Sequence, residues 1–177
     1  KSMRTTLREK LESGELLQWT PQIEGDPCER MLFISAEINE EFDEDTWNDL
    51  SLAYRYAQLG ADFDRYVTGD TIPVGMEPYG KGDNAFMARI SPSEYGIWTI
   101  RSVAPKPAIR VFGAFCEQDL FVALITRRRA DLGGPESREW AQAREAAIAL
   151  WDNLFPGKPR LLGDNVGDFF SEKTIAV

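Results

Sequence analysis

The sequence predicts an α+β domain built on an antiparallel sheet. Two patterns carry this reading. Three β-rich runs, IWTIRSV (97–103), AIRVFGAFC (108–116) and DLFVALITR (119–127), follow one another with only Ala104-Pro105-Lys106-Pro107 and Glu117-Gln118 between them. Connections that short join antiparallel neighbours, so the stretch reads as a three-stranded meander over about 97–127. The second pattern is helical: Trp140, Ala143, Ala147, Trp151 and Leu154 recur at the spacing of one helix face, predicting a helix over 135–154 that closes at Phe155-Pro156-Gly157.

The remaining elements follow in chain order. Residues 3–13 suit a short helix stopped by Gly14, and 15–28 read as a polar connection. The apolar run RMLFISAEI (30–38) suits a further strand. A helix over 43–60 is expected next, capped by Asp43 or Asp45, with Trp47, Leu50, Tyr54 and Ala57 as its buried face and Gly60 as its break. Residues 69–96 are rich in glycine and proline and lack periodicity, which predicts a long irregular insertion lying over or beside the sheet. The tail to Val177 reads as irregular, with a final turn or strand. The whole is read as one domain of 177 residues, with 1–40 as an N-terminal extension. Lys1-Ser2 before Met3 reads as the remnant of an expression tag.

Composition restricts the chemistry. The chain has no histidine, which removes Ser-His-Asp and Cys-His catalysis and nearly all typical zinc sites. Cys28 and Cys116 have neither metal-ligand spacing nor a disulfide framework, and they read as two reduced thiols of a cytoplasmic protein. No cofactor and no metal is expected. No apolar run approaches the roughly 18 residues that span a bilayer. A net charge of −9 argues against indiscriminate nucleic-acid binding. The charge is nonetheless segregated. Residues 36–70 carry ten acids against Arg55 and Arg65, whereas 97–130 carry Arg101, Lys106, Arg110, Arg127, Arg128 and Arg129 against Glu117 and Asp119.

The meander sharpens this asymmetry. If Val103 opposes Ala108, Arg101 opposes Arg110. If Cys116 opposes Asp119, Arg110 opposes Ile125 and lies diagonal to Arg127. Side chains alternate with period two, so the three arginines share one face. The other face would then carry Trp98, Ile100, Ile109, Val111, Phe115, Leu120, Val122 and Leu124. Like charges opposed on a sheet repel and call for an anion. A phosphate, the chain's own acids at 37–49 or a protein partner would each serve.

This order of elements, with Trp98 and Arg101 in one strand, Arg110 opening the next, and a third apolar strand ending in Arg127, Arg128 and Arg129, resembles the RelE/ParE-like toxins of bacterial toxin–antitoxin pairs, including their HigB-like branch. The resemblance implies RNA and an antitoxin protein as partners. It also implies a metal-independent endoribonuclease in which Arg101, Arg110 and Arg127 stabilise charge at the cleaved phosphate, while Arg128, Arg129 and Lys106 complete the substrate-binding set. Internal attack by a ribose 2′-hydroxyl would need a positioned base, for which Glu94 and Tyr95 are the candidates. The alternative reading is a non-catalytic acidic protein-binding module, with Glu37–Asp49 as its partner surface.

Overall fold

In a computed structural model that describes residues 1–76 and 84–177, the chain forms an α+β fold around one mixed sheet. The elements are α1 (Met3–Ser13), β1 (Leu16–Trp19), β2 (Met31–Ser35), α2 (Ala36–Glu41), α3 (Leu50–Val67), β3 (Ile72–Gly75), β4 (Met87–Arg89), β5 (Trp98–Ser102), β6 (Ile109–Glu117), β7 (Leu120–Arg128), α4 (Arg138–Leu154) and β8 (Thr174–Ala176). The sheet has eight strands in the order β1-β2-β7-β6-β5-β4-β3-β8. The predicted meander is its centre: β5, β6 and β7 pair antiparallel in sequence. β2 joins β7 in parallel. A three-stranded meander with one added strand therefore understates the sheet.

The two faces of the sheet are both buried. Trp98, Ile100, Val111, Phe115 and Phe121 pack with Leu59, Phe63 and Tyr66 of α3 and with Phe169 and Phe170 of the tail. Phe112, Ala114, Val122 and Leu124 pack with Leu7 of α1 and with Ala143, Ala147 and Trp151 of α4. Leu120, Val122 and Leu124 thus face α4, opposite to Trp98 and Phe115, and not alongside them as the simple alternation implies. The cause is a pair of irregularities in the β6–β7 ladder. Glu117 opposes Leu120 and Phe115 opposes Phe121, so Cys116 is extra. Gly113 opposes Ala123 and Phe112 opposes Ile125, so Leu124 is extra. Each extra residue flips the alternation, and the second restores what the first changed. Leu124 and Ile125 accordingly both enter the α4 core.

One hydroxyl joins several of these features. Ser35 ends β2 and caps α2, its Oγ accepting from Ile38 N at 3.2 Å. The same Oγ donates to the carbonyl of the extra residue Leu124 at 2.8 Å.

Other boundaries differ from the sequence reading. The apolar run at 30–38 is strand only to Ser35, where the hydroxyl turns the chain into α2. The expected helix over 43–60 is a single 3₁₀ turn at Glu44–Thr46 followed by α3 at Leu50–Val67, capped by Asp49. Its buried face is Arg55, Leu59, Phe63 and Tyr66, while Leu50 and Tyr54 are exposed by 68 % and 62 %. Gly60 does not break the helix; a Cβ there would meet Gln22 at 3.1 Å and Trp19 at 3.3 Å, so it is a close-packing position. The segment 15–28 contains β1. The segment 69–96 contains β3 and β4, so it is not irregular throughout, and its residues 77–83 lie outside the described ones. α4 begins at Ser137, whose Oγ accepts from Trp140 N. The tail returns to the sheet as β8, and Asp119 N donates to Phe169 O at 2.9 Å.

Candidate functional site

The arginines meet at one end of the meander. Arg101 opposes Arg110, and Arg110 opposes Arg127 directly, not diagonally. The hairpin turns at Gln118-Asp119, and Asp119 adopts a left-handed φ of 63°. This is a two-residue change from the predicted register, and an even shift leaves every side chain on its own face. Arg101 and Arg110 alternate with Ile100, Ile109 and Val111 of the α3-side core, and Arg127 lies two residues beyond Ile125 of the α4-side core, so all three share the α4 side.

Their side chains behave differently. Arg110 is only 7 % exposed, and among the described residues its Nη1 has no hydrogen-bond partner. Burial first, then the nearby charges of Arg101 and Arg129, push its pKa down to about 10. Arg101 is half-buried and donates to Ala85 O at 3.4 Å. It also lines a trough of about 430 Å³ shared with Asp62, Arg65, Phe86 and Val103. Arg127 is exposed and donates to Thr126 O at 2.8 Å. Arg129 is half-buried; its Nη1 donates to Gly133 O at 2.9 Å and its guanidinium lies over the Trp140 ring at 5.9 Å. Arg128 is exposed on the opposite face, where its charge reaches Tyr56. Lys106 is exposed in the turn between β5 and β6. The tightest grouping is therefore Arg101, Arg110 and Arg129, with Arg127 at its rim. Among the described residues, no carboxylate stands within ion-pair distance of Arg110, Arg127, Arg128 or Arg129.

The acids at 37–49 do not neutralise this end through ion pairs. Glu37, Glu40, Asp43, Glu44, Asp45 and Asp49 are exposed. Glu41 is the exception. Its Oε1 accepts from Tyr56 Oη at 2.9 Å, and both carboxylate oxygens accept from Thr126 Oγ1 at 2.7 and 2.8 Å. Burial raises its pKa, against the opposing effect of these hydrogen bonds. No local pattern signals this contact, because it pairs two residues 85 positions apart.

Glu94 and Tyr95 do not join the arginines. They form a 3₁₀ turn before the start of β5, whereas Arg101 lies near its end. There the Tyr95 carbonyl accepts from Arg160 Nε and its ring lies under Arg144.

A further arginine was not singled out from the sequence. Arg55 is 1 % exposed and fastens α3 to the β5–β6 turn, donating to Pro105 O, Pro107 O and Ser102 Oγ. Ser102 Oγ in turn donates to Asp62 at 2.6 Å. Cys116 is half-buried, and burial pushes its thiol up to about 12, so it is no nucleophile. Compared with family models, curated proteins and solved structures, the chain has no significant match to any.

Proposed function

We propose that this chain is a toxin-like protein that grips the phosphodiester backbone of RNA at the arginine end of its sheet, with an antitoxin protein as its second partner in the cytoplasm. The observation that carries the reading is Arg110: a guanidinium more than nine-tenths buried, with an unpartnered Nη1 and two further guanidiniums nearby. Like charges gathered on one sheet face repel, and a bound phosphate relieves that repulsion. Fixed guanidiniums also stabilise charge developing on a phosphate during cleavage. For a 2′-hydroxyl attack, Glu41 is the carboxylate with raised pKa at this end of β7, adjacent in the ladder to Arg127 through Thr126. Because Thr126 belongs to the opposite face, the phosphate-binding part of the proposal stands independently of cleavage.

The test is Arg110→Met. Replacing an uncompensated buried charge by an apolar side chain of similar length is neutral or stabilising. The thermal midpoint should therefore hold or rise while affinity for a short RNA falls at least tenfold. A variant that unfolds would show that Arg110 is structural, and unchanged affinity would end the phosphate reading. Growth inhibition by the wild-type chain, lost in a folded Arg101→Ala, Arg110→Met, Arg127→Ala variant, tests the toxin-like part. The second reading, a non-catalytic binding module, is favoured by the solvated acids at 37–49; it predicts that neutralising Glu40, Asp43 and Glu44 abolishes capture of a basic partner.

A further inference from the structure

Beside Arg110 lies a flat surface of which the phosphate reading uses only the charge of Arg129. Trp140 is in the first turn of α4, half-buried. Its Nε1 donates to Gly133 O at 3.2 Å, the same carbonyl that accepts from Arg129. Its ring stands edge to face with Phe112 at 5.4 Å and beneath the guanidinium of Arg129 at 5.9 Å. Phe112 is two residues from Arg110 on the same face of β6, so about 7 Å of strand separates the buried guanidinium from the aromatic support. Gly133 itself turns the chain in a left-handed conformation at φ 64°, which brings its carbonyl to both side chains.

Resting on the phosphate reading above, we infer that the Arg129–Trp140 pair is a stacking platform for one unpaired base, placed next to the phosphate held by Arg110, so that the ligand is a single strand. Two features support a platform. A shared acceptor holds both groups in orientation, and both remain part-exposed. Planar guanidinium and indole surfaces stack on any base face, so the site selects single strands without selecting sequence. A base-paired ligand would present its base edges and not its base faces.

The experiment compares two fluorescein-labelled octamers with the same 2′-O-methyl backbone, which blocks 2′-hydroxyl attack. One is an oligouridylate and the other is abasic. Wild type should bind the base-bearing octamer roughly tenfold more tightly. Trp140→Leu loses the ring and should reduce the preference toward unity while leaving abasic affinity within about twofold; Arg129→Lys keeps the charge but loses the plane and should likewise reduce the preference, read as the ratio of the two affinities. Trp140→Phe should retain part of it. Circular dichroism checks the fold of Trp140→Leu, and Arg129→Lys provides the same test without touching the core. Equal binding of both octamers by wild type, or an unchanged preference in both variants, overturns the platform while leaving the phosphate reading standing. No binding of either octamer by wild type overturns both.

Discussion

Buried arginines show how much one side-chain type can differ within a single chain. Arg30 and Arg55 are 3 % and 1 % exposed, yet each spends its donors on backbone carbonyls: Arg30 on Tyr66 and Asp70 at the end of α3, Arg55 on Pro105 and Pro107. They are built into the structure. Arg55→Ala strands those carbonyls and Asp62, and should cost about 3 kcal/mol in urea unfolding. Arg110 is buried to a similar degree with an unpartnered Nη1, so the expected response to Arg110→Met has the opposite sign. Glu41 makes a further residue-scale prediction. A carboxyl whose folded pKa is raised contributes most at low pH and loses that contribution as pH rises through its folded value. The thermal midpoint of wild type relative to Glu41→Gln should therefore fall between about pH 4 and about pH 7. No change across that interval would mean that the carboxyl is not held in a desolvated place. For the thiols, exposed Cys28 should react with a maleimide-free disulfide reagent at about pH 8, and Cys116 only after unfolding.

At the scale of elements, legibility tracked length and repetition. The nine-residue strands β6 and β7 and the seventeen-residue α4 repeat their pattern often enough to be read. β3, β4 and β8 have three or four residues each, and no period can be established in so few. Hydrophobicity alone extends the strand through α2, because SAEI continues an apolar run; the deciding event is Ser35 capping, which hydrophobicity does not encode. The sequence places the helix start at Asp43 or Asp45, but Asp43 caps only the 3₁₀ turn and α3 starts at Asp49, a cap of the same residue type that local preference does not separate from the other two. In the arginine row, the face was legible and the register was not, since an even shift preserves the face. Gly113 marks the irregular stretch of β6. A Cβ there would overlap the Val122 carbonyl oxygen and the Phe121 ring, so Gly113→Ala should lower the unfolding free energy by about 2–3 kcal/mol. An unperturbed midpoint would show that the strands part easily. Neutralising Glu40, Asp43 and Glu44, by contrast, should move stability by no more than about 0.5 kcal/mol, because exposed charges contribute little.

The whole molecule is held together by segments far apart in sequence. No helix among the described residues is long and apolar enough to cross a membrane. The tail contributes two buried aromatic rings to one core: Phe169 and Phe170 meet Trp98 at 4.8 and 5.9 Å and Phe115 at 5.4 and 5.2 Å. The sequence reads as irregular here with a final turn or strand; the final strand is β8, while the packing of Phe169 and Phe170 follows no period that a sequence pattern displays. Phe169→Ala should cost about 3–5 kcal/mol, measurable by denaturant titration. A cost below about 1 kcal/mol would mean that the tail merely rests on the sheet.

The Ser35 hydroxyl has a consequence for where the orientation of the arginines is stored. Leu124 is the extra residue that returns Arg127 to the face of Arg110, and its carbonyl is held from a position 89 residues upstream. The hairpin therefore does not contain all the instructions for its own active-looking end. Cut out as a peptide, residues 108–129 would lack that tether, and pairing without the extra residue would send Arg127 to the side of Thr126. In the intact chain, a strand terminus and a helix start act as a remote reading key: whichever way β2 ends, β7 presents its charges. Homologous hairpins that keep every arginine but lose a serine at the end of β2 would be expected to point those arginines elsewhere.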